Sequence, residues 1–100
     1  MRIGVIVEFK FKPGSDGPPL AIETMSQRLP SVTRGYDGCE YVHLYVDPDD
    51  PTRLVLLEPW ESRDKYDAHQ QWANSQPGNG GIIDALETEA RYTYLDDTGA

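Results

Sequence analysis

The chain predicts an α+β fold, with one antiparallel sheet carrying two helices on a single face, and three observations predict it. Residues 3–11 alternate in polarity with the period of two expected of a half-buried strand. An acidic turn with two prolines, Asp47-Pro48-Asp49-Asp50-Pro51, separates two further strand patterns. The second of these ends on Trp60 and gives way at Glu61-Ser62 to helical spacing.

In the first strand Ile3, Val5, Val7, Phe9 and Phe11 share one face, and Gly4, Ile6, Glu8 and Lys10 the other. Pro13-Gly14-Ser15-Asp16-Gly17 ends it with turn formers. Pro18 or Pro19 starts a helix, where a missing amide hydrogen costs nothing. Leu20, Ala21, Ile22, Met25 and Leu29 give that helix an apolar stripe through Arg28. Pro30 stops or kinks it, and one more turn is expected over Ser31 to Arg34 before Gly35. Cys39 to Val46 is the second strand, with Cys39, Tyr41, His43 and Tyr45 on one face and Val42, Leu44 and Val46 on the other. A hairpin at the acidic turn leads to the third strand, Thr52 to Trp60. Ser62 caps a helix from Arg63 to about Asn74, and Asp64 in its first turn suits the helix dipole. Gln76 to Gly81 reads as a loop, Ile82 to Leu86 as a short helix, and Thr88 to Leu95 as the last strand.

The order is therefore β-α-β-β-α-β, which with right-handed crossovers is a ferredoxin-like layout. Its helices cover one sheet face. Ile6, Val42 or Tyr45 and their neighbours are expected on the uncovered face, which two copies can bury by packing sheet against sheet about a two-fold axis.

One hundred residues make one domain, with a core from about residue 3 to 95, and a chain this short buries only about 60 to 70% of its unfolded surface. The net charge of −8 argues against nucleic acid, which requires a concentrated basic face. Nine of the seventeen carboxylates lie between Asp37 and Asp67, so the middle of the chain carries most of the excess. Cys39 is the lone cysteine, which rules out an internal disulfide and suits a reducing, cytoplasmic setting. The first residues run straight into a strand pattern, without the charged lead and apolar core of a secretion signal. No apolar run approaches the roughly 20 residues of a membrane helix. The glycines at 78 to 81 follow a helix and lack a phosphate-binding lysine. The acidic turn fails the calcium-loop template, and two histidines without a nearby cysteine give no zinc signature.

Several stretches resemble the antibiotic biosynthesis monooxygenase family and its quinol monooxygenase branch. They are Gly38-Cys39-Glu40, Asp47-Pro48-Asp49-Asp50-Pro51-Thr52-Arg53, Glu58-Pro59-Trp60-Glu61-Ser62-Arg63 and Ala68-His69. The likeness spans about residues 3 to 95. It implies a dimeric α+β barrel with one pocket per subunit between helices and sheet. It also implies oxidation of a phenolic aromatic substrate by molecular oxygen, without flavin, haem or metal. On this resemblance Trp60 is a pocket tryptophan, and Tyr66 and His69 lie on the helix that follows it. After His69 the chain departs from the family, with Gln70-Gln71-Trp72 and then the glycine-rich loop from Pro77 to Gly81. Haem-degrading and autoinducer-processing branches keep other reactions open.

Parity puts Glu58 on the apolar face of Leu54, Leu56 and Trp60, an expensive place for a carboxylate. Either Arg53 or Arg91 pairs with it, or its pKa is raised and it acts as a base. Tyr66, His69 and Ala73 share one helix face, and His69 is an acid–base group or a hydrogen-bonded filler. Trp60 is core packing or pocket wall. The expected catalytic groups are His69, Glu58 and Tyr66; Trp60, Trp72, Leu56, Tyr45 and His43 are the expected substrate contacts. A deprotonated anthrone or hydroquinone supplies its own electrons to oxygen, so the protein needs only an apolar slot, a base and donors for the anion. A non-catalytic dimeric binding module, a haem-binding or haem-degrading dimer, and an isomerase on the same fold are the alternatives.

Overall fold

The computed structural model describes residues 1–28, 37–74 and 80–100. Within them the chain runs β1 (Ile3–Lys10), α1 (Gly17–Arg28), β2 (His43–Asp47), β3 (Asp50–Trp60), α2 (Arg63–Asn74), α3 (Gly80–Asp84) and β4 (Arg91–Asp96). Leu29, Pro30, the turn expected over 31–34 and residues 76–79 of the expected loop fall outside the described residues. The strands form one antiparallel sheet in the order β2-β3-β1-β4, with the helices on one face, as the ferredoxin-like layout requires.

The alternation in β1 sets the two faces. Ile3, Val5, Val7, Phe9 and the following Phe11 are buried against the helices, together with Leu54, Leu56, Glu58 and Trp60 of β3. Ile6, Glu8 and Lys10 look the other way, in register with Leu57, Val55 and Arg53. Gly17 lets α1 start against the core: a Cβ there would lie 2.3 Å from the Phe11 ring and 2.8 Å from the Ala85 Cβ. Α1 opens at Gly17, one residue before the first proline, where the Leu20 amide donates to the Asp16 carbonyl.

Several boundaries differ from the sequence expectation. The ladder of β2 starts at His43, not Cys39. Cys39 bridges Trp60 while His43 pairs with Leu57, so one extra residue lies on the β2 side, and Pro59 has no N–H to offer there. That extra residue turns Cys39 toward the core, away from the face of Tyr41, His43 and Tyr45. Val42, expected among the residues of the uncovered face, is fully buried on the helix side. Pro51 belongs to β3, at an end that lies beyond the last β1 partner, Arg53, where no ladder donor is required. Leu86 pairs with Phe11 in a single bridge instead of ending a helix, and α3 runs over Gly80–Asp84. Β4 then begins at Arg91, after a stretch held by the Glu87 amide on the Lys10 carbonyl.

Ser62 caps α2 as expected. Its hydroxyl accepts from the Lys65 amide at 3.2 Å and its carbonyl from the Tyr66 amide. Among the described residues no helix is long and apolar enough to cross a membrane.

Candidate functional site

Alternation along β3 brings Glu58 and Trp60 to the helix side, and register extends the row across the sheet. Glu58 pairs with Val5 of β1, and Val5 with Tyr94 of β4; one step along, Leu56 pairs with Val7, and Val7 with Tyr92. Spacing along α2 places Arg63, Tyr66, His69 or Gln70, and Trp72 or Ala73 on the stripe above that row. The result is an aromatic layer between α2 and the sheet. The Trp60 and Tyr66 rings meet edge to face at 5.5 Å, Trp60 and His69 lie tilted at 5.0 Å, and His69 and Trp72 at 5.9 Å. Tyr66 also meets Tyr94 edge to face at 5.7 Å. Such pairs add about 1 kcal/mol each to the burial itself.

Glu58 is the unusual member. It is 6% exposed, and the Trp60 indole N–H donates to its Oε1 at 3.4 Å, a long bond. Neither expected cation reaches it. Arg53 pairs with Glu8 at 2.6 Å and Asp47 at 3.4 Å on the opposite face, and Arg91 approaches Glu8 at 3.9 Å. Among the described residues no cation pairs with Glu58. Burial accordingly lifts its carboxyl to about 7, with the Trp60 bond pulling weakly the other way. The group is therefore divided between acid and carboxylate near neutral pH.

Tyr66 is 1% exposed, and its hydroxyl has no hydrogen-bond partner among the described residues. Burial first, and the Glu58 charge second, push its pKa up, so it stays protonated and able to donate. Burial pushes the His69 imidazole down, so it is held neutral. The three groups can together accept a proton, donate a hydrogen bond and present a neutral ring nitrogen, all beside aromatic surface.

Of the expected site residues, Glu58, Trp60, Tyr66, His69, Trp72 and Leu56 are brought together. His43 and Tyr45 are not. They sit in register with Leu57 and Val55 on the uncovered face, where the His43 Nδ1 and Tyr45 hydroxyl lie 3.3 Å apart. Alternation grouped them correctly but does not say which face meets the helices. Sequence reasoning missed Tyr92, Tyr94 and Arg63. The Gln70 side chain donates to the Tyr92 hydroxyl at 3.2 Å, and the Arg63 guanidinium lies 3.7 Å over the Tyr94 ring. The shared parity of Tyr92 and Tyr94, and the three-residue step from Arg63 to Tyr66, were the available signals.

A cleft of about 250 Å³ on the other side of the molecule is bordered by Glu8, Lys10, Arg53, Glu89 and Arg91. Its two arginines both approach Glu8, and its lysine pairs with Asp50.

A sequence profile described as antibiotic biosynthesis monooxygenase matches residues 2–76. A comparison with curated proteins gave no significant match. Solved structures share the fold. A candidate antibiotic biosynthesis monooxygenase of Nitrosomonas europaea is similar with a TM-score of 0.82 at 21% identity, over 97% of this chain and 90% of that one. A Mycobacterium tuberculosis protein is similar with a TM-score of 0.75 at 25% identity, over 97% and 95%. A candidate antibiotic biosynthesis monooxygenase of Bordetella bronchiseptica gives 0.73 at 20% identity, over 97% of each.

Proposed function

Because this chain belongs to the antibiotic biosynthesis monooxygenase family, we propose that it oxidises a phenolic or quinol-type aromatic molecule with molecular oxygen, taking the electrons from the substrate. The observation that carries the reading is Glu58, buried beside Trp60 and Tyr66 with no cation partner among the described residues. A carboxyl raised to about 7 is matched to removing a weakly acidic proton at neutral pH.

For an anthrone-type methylene the chemistry balances as follows. Glu58 takes one C–H proton, leaving a carbanion whose charge spreads to the ring oxygen, where the Tyr66 hydroxyl donates a hydrogen bond. The carbanion passes one electron to oxygen, and the radical pair combines to form a C–O bond. The peroxide takes the proton back from Glu58. Loss of the second C–H proton to Glu58 breaks the O–O bond, and the released hydroxide recovers that proton as water. One oxygen atom ends in the ketone and one in water; the substrate supplies four electrons. Trp60 and Trp72 flank the flat ring, Leu56 floors it, and the neutral His69 holds a substrate oxygen or relays a proton.

The functional unit is a homodimer. Ile6, Val55 and Leu57 are half-buried in one protomer, and Tyr45 and Leu95 are about half exposed on the same face. A second copy of that face covers them. Sedimentation at micromolar concentration is expected to give twice 11.2 kDa, and Leu57→Lys to return the mass to 11.2 kDa. A wild-type mass of 11.2 kDa refutes the dimer.

The reaction is tested by oxygen uptake with anthrone or a naphthohydroquinone as substrate. Wild type is expected to consume oxygen above the spontaneous rate, and His69→Ala or Trp60→Phe to lose at least about tenfold. No uptake above background with either substrate class, or full activity in both variants, refutes this assignment.

A further inference from the structure

The aromatic layer under α2 is polar in a second sense: its two ends carry opposite electrostatic character. One end holds Glu58, Trp60 and His69, all buried. The other opens to solvent between the first turn of α2 and the middle of β4, where Arg63 is about half exposed and stacks on Tyr94. Tyr94 touches Tyr66, and Tyr66 touches Trp60, so contact is continuous from the cation to the base.

Arg63 is only partly used by the protein. Its Nε donates to Asp67 at 2.9 Å, one helical turn on, which fixes the plane of the guanidinium. Its two terminal nitrogens have no acceptor among the described residues. Lys65, the neighbouring cation, is occupied by Asp37 at 3.1 Å and Glu61 at 3.2 Å. The buried Tyr66 hydroxyl, with no hydrogen-bond partner among the described residues, is a second donor in the same layer. A half-exposed guanidinium over an aromatic face, with its terminal nitrogens unanswered among the described residues, suits a planar anion such as a carboxylate. In a chain of net charge −8 a local cation also offsets general repulsion of an acidic ligand.

We propose that Arg63, seated on Tyr94, is a specificity residue that selects aromatic substrates bearing an acidic oxygen group at the end remote from the reacting carbon. The proposal rests on the layer under α2 being the substrate site, and its test reads binding, not turnover. Tryptophan fluorescence is titrated at pH 7 and low salt with two probes of similar ring size, 3-hydroxy-2-naphthoate and 2-naphthol. Wild type is expected to bind the carboxylate about tenfold more tightly. Arg63→Gln is expected to erase the preference by weakening the carboxylate alone, Arg63→Lys to keep part of it, and added salt to shrink it. Equal affinities in wild type, a preference that survives Arg63→Gln, or no binding of either probe overturns the proposal. Arg63 is half exposed, so the variant is expected to fold, which its circular dichroism checks. Tight carboxylate binding without oxygen uptake sinks the oxygenase reading and leaves this one standing.

Discussion

Two carboxylates eight positions apart on β3 live in opposite electrostatic worlds. Asp50 accepts from the Lys10 ammonium at 2.5 Å and from the Thr52 hydroxyl at 2.6 Å, and these contacts hold it at about 2. Glu58 accepts one long bond from Trp60 within a buried aromatic layer and is raised to about 7. The same division runs across the whole sheet. On the uncovered side Glu8 meets Arg53 and Arg91, and Asp47 meets Arg53. On the helix side no cation meets Glu58 among the described residues. Neutralised acids stabilise charge and do little chemistry; an acid deprived of its cation becomes a base with a useful proton affinity.

The sharpest way to break this contrast is Glu58→Gln. Turnover is expected to fall by about 10²- to 10⁴-fold, the usual worth of a general base. Wild-type kcat/KM is expected to rise with pH through about 7, a limb the variant lacks. Stability should move the opposite way. The folded pKa of Glu58 lies above its unfolded value of 4.5, so its contribution is full below 4.5 and is lost as pH climbs to about 7. That loss amounts to about 3 kcal/mol, and denaturant titrations at pH 5 and pH 8 should show it in wild type but not in Glu58→Gln. His69 slopes in the other direction: its lowered pKa makes acidification below about 6.5 destabilising. A Glu58→Gln protein whose stability keeps the wild-type pH slope would show that Glu58 is ionised and paired.

Tyr66→Phe sharpens the same comparison with a smaller change. The hydroxyl is buried with no hydrogen-bond partner among the described residues, so the fold gains little from it. Removing it is expected to leave stability unchanged or raise it by about 1 kcal/mol, while turnover drops by about 10- to 100-fold through loss of the anion donor. Parallel losses of stability and activity would mark Tyr66 as structural.

Much of this arrangement was legible in the sequence because it depends on local periodicity. Alternation from Ile3 to Phe11 and from Leu54 to Trp60 names the residues of the inner face. The same rule excludes one expected ion pair: Arg53 and Glu58 are five apart, so on an unbroken strand they point to opposite sides. The second expected partner, Arg91, is settled by non-local register, since it sits across from Glu8. Register also brings Tyr94 beside Val5 and so into the layer, a contact nearly ninety residues apart in the chain that no local pattern encodes. The strand from Cys39 misled for a different reason. One surplus residue before His43 reverses parity, and alternation counted through it places Cys39 on the wrong side. Which face the helices cover decided the fate of His43 and Tyr45, and that is a property of the crossovers, not of the strand.

The gentlest test is at the other carboxylate. Asp50→Asn removes an acid whose lowered pKa contributes stability above its ordinary value of 3.8, a contribution lost as pH falls toward about 2. The variant should therefore be slightly less stable than wild type at pH 7, with the difference vanishing near pH 2, and equilibrium unfolding at the two pH values measures it. Turnover should be unchanged, because Asp50 lies at the far end of β3 from Glu58 and its partners are Lys10 and Thr52. The ion pair is open to water, so added salt should also shrink the difference. If Asp50→Asn instead slowed turnover, the two ends of β3 would be coupled, and the separation of the paired Asp50 from Glu58 would no longer hold.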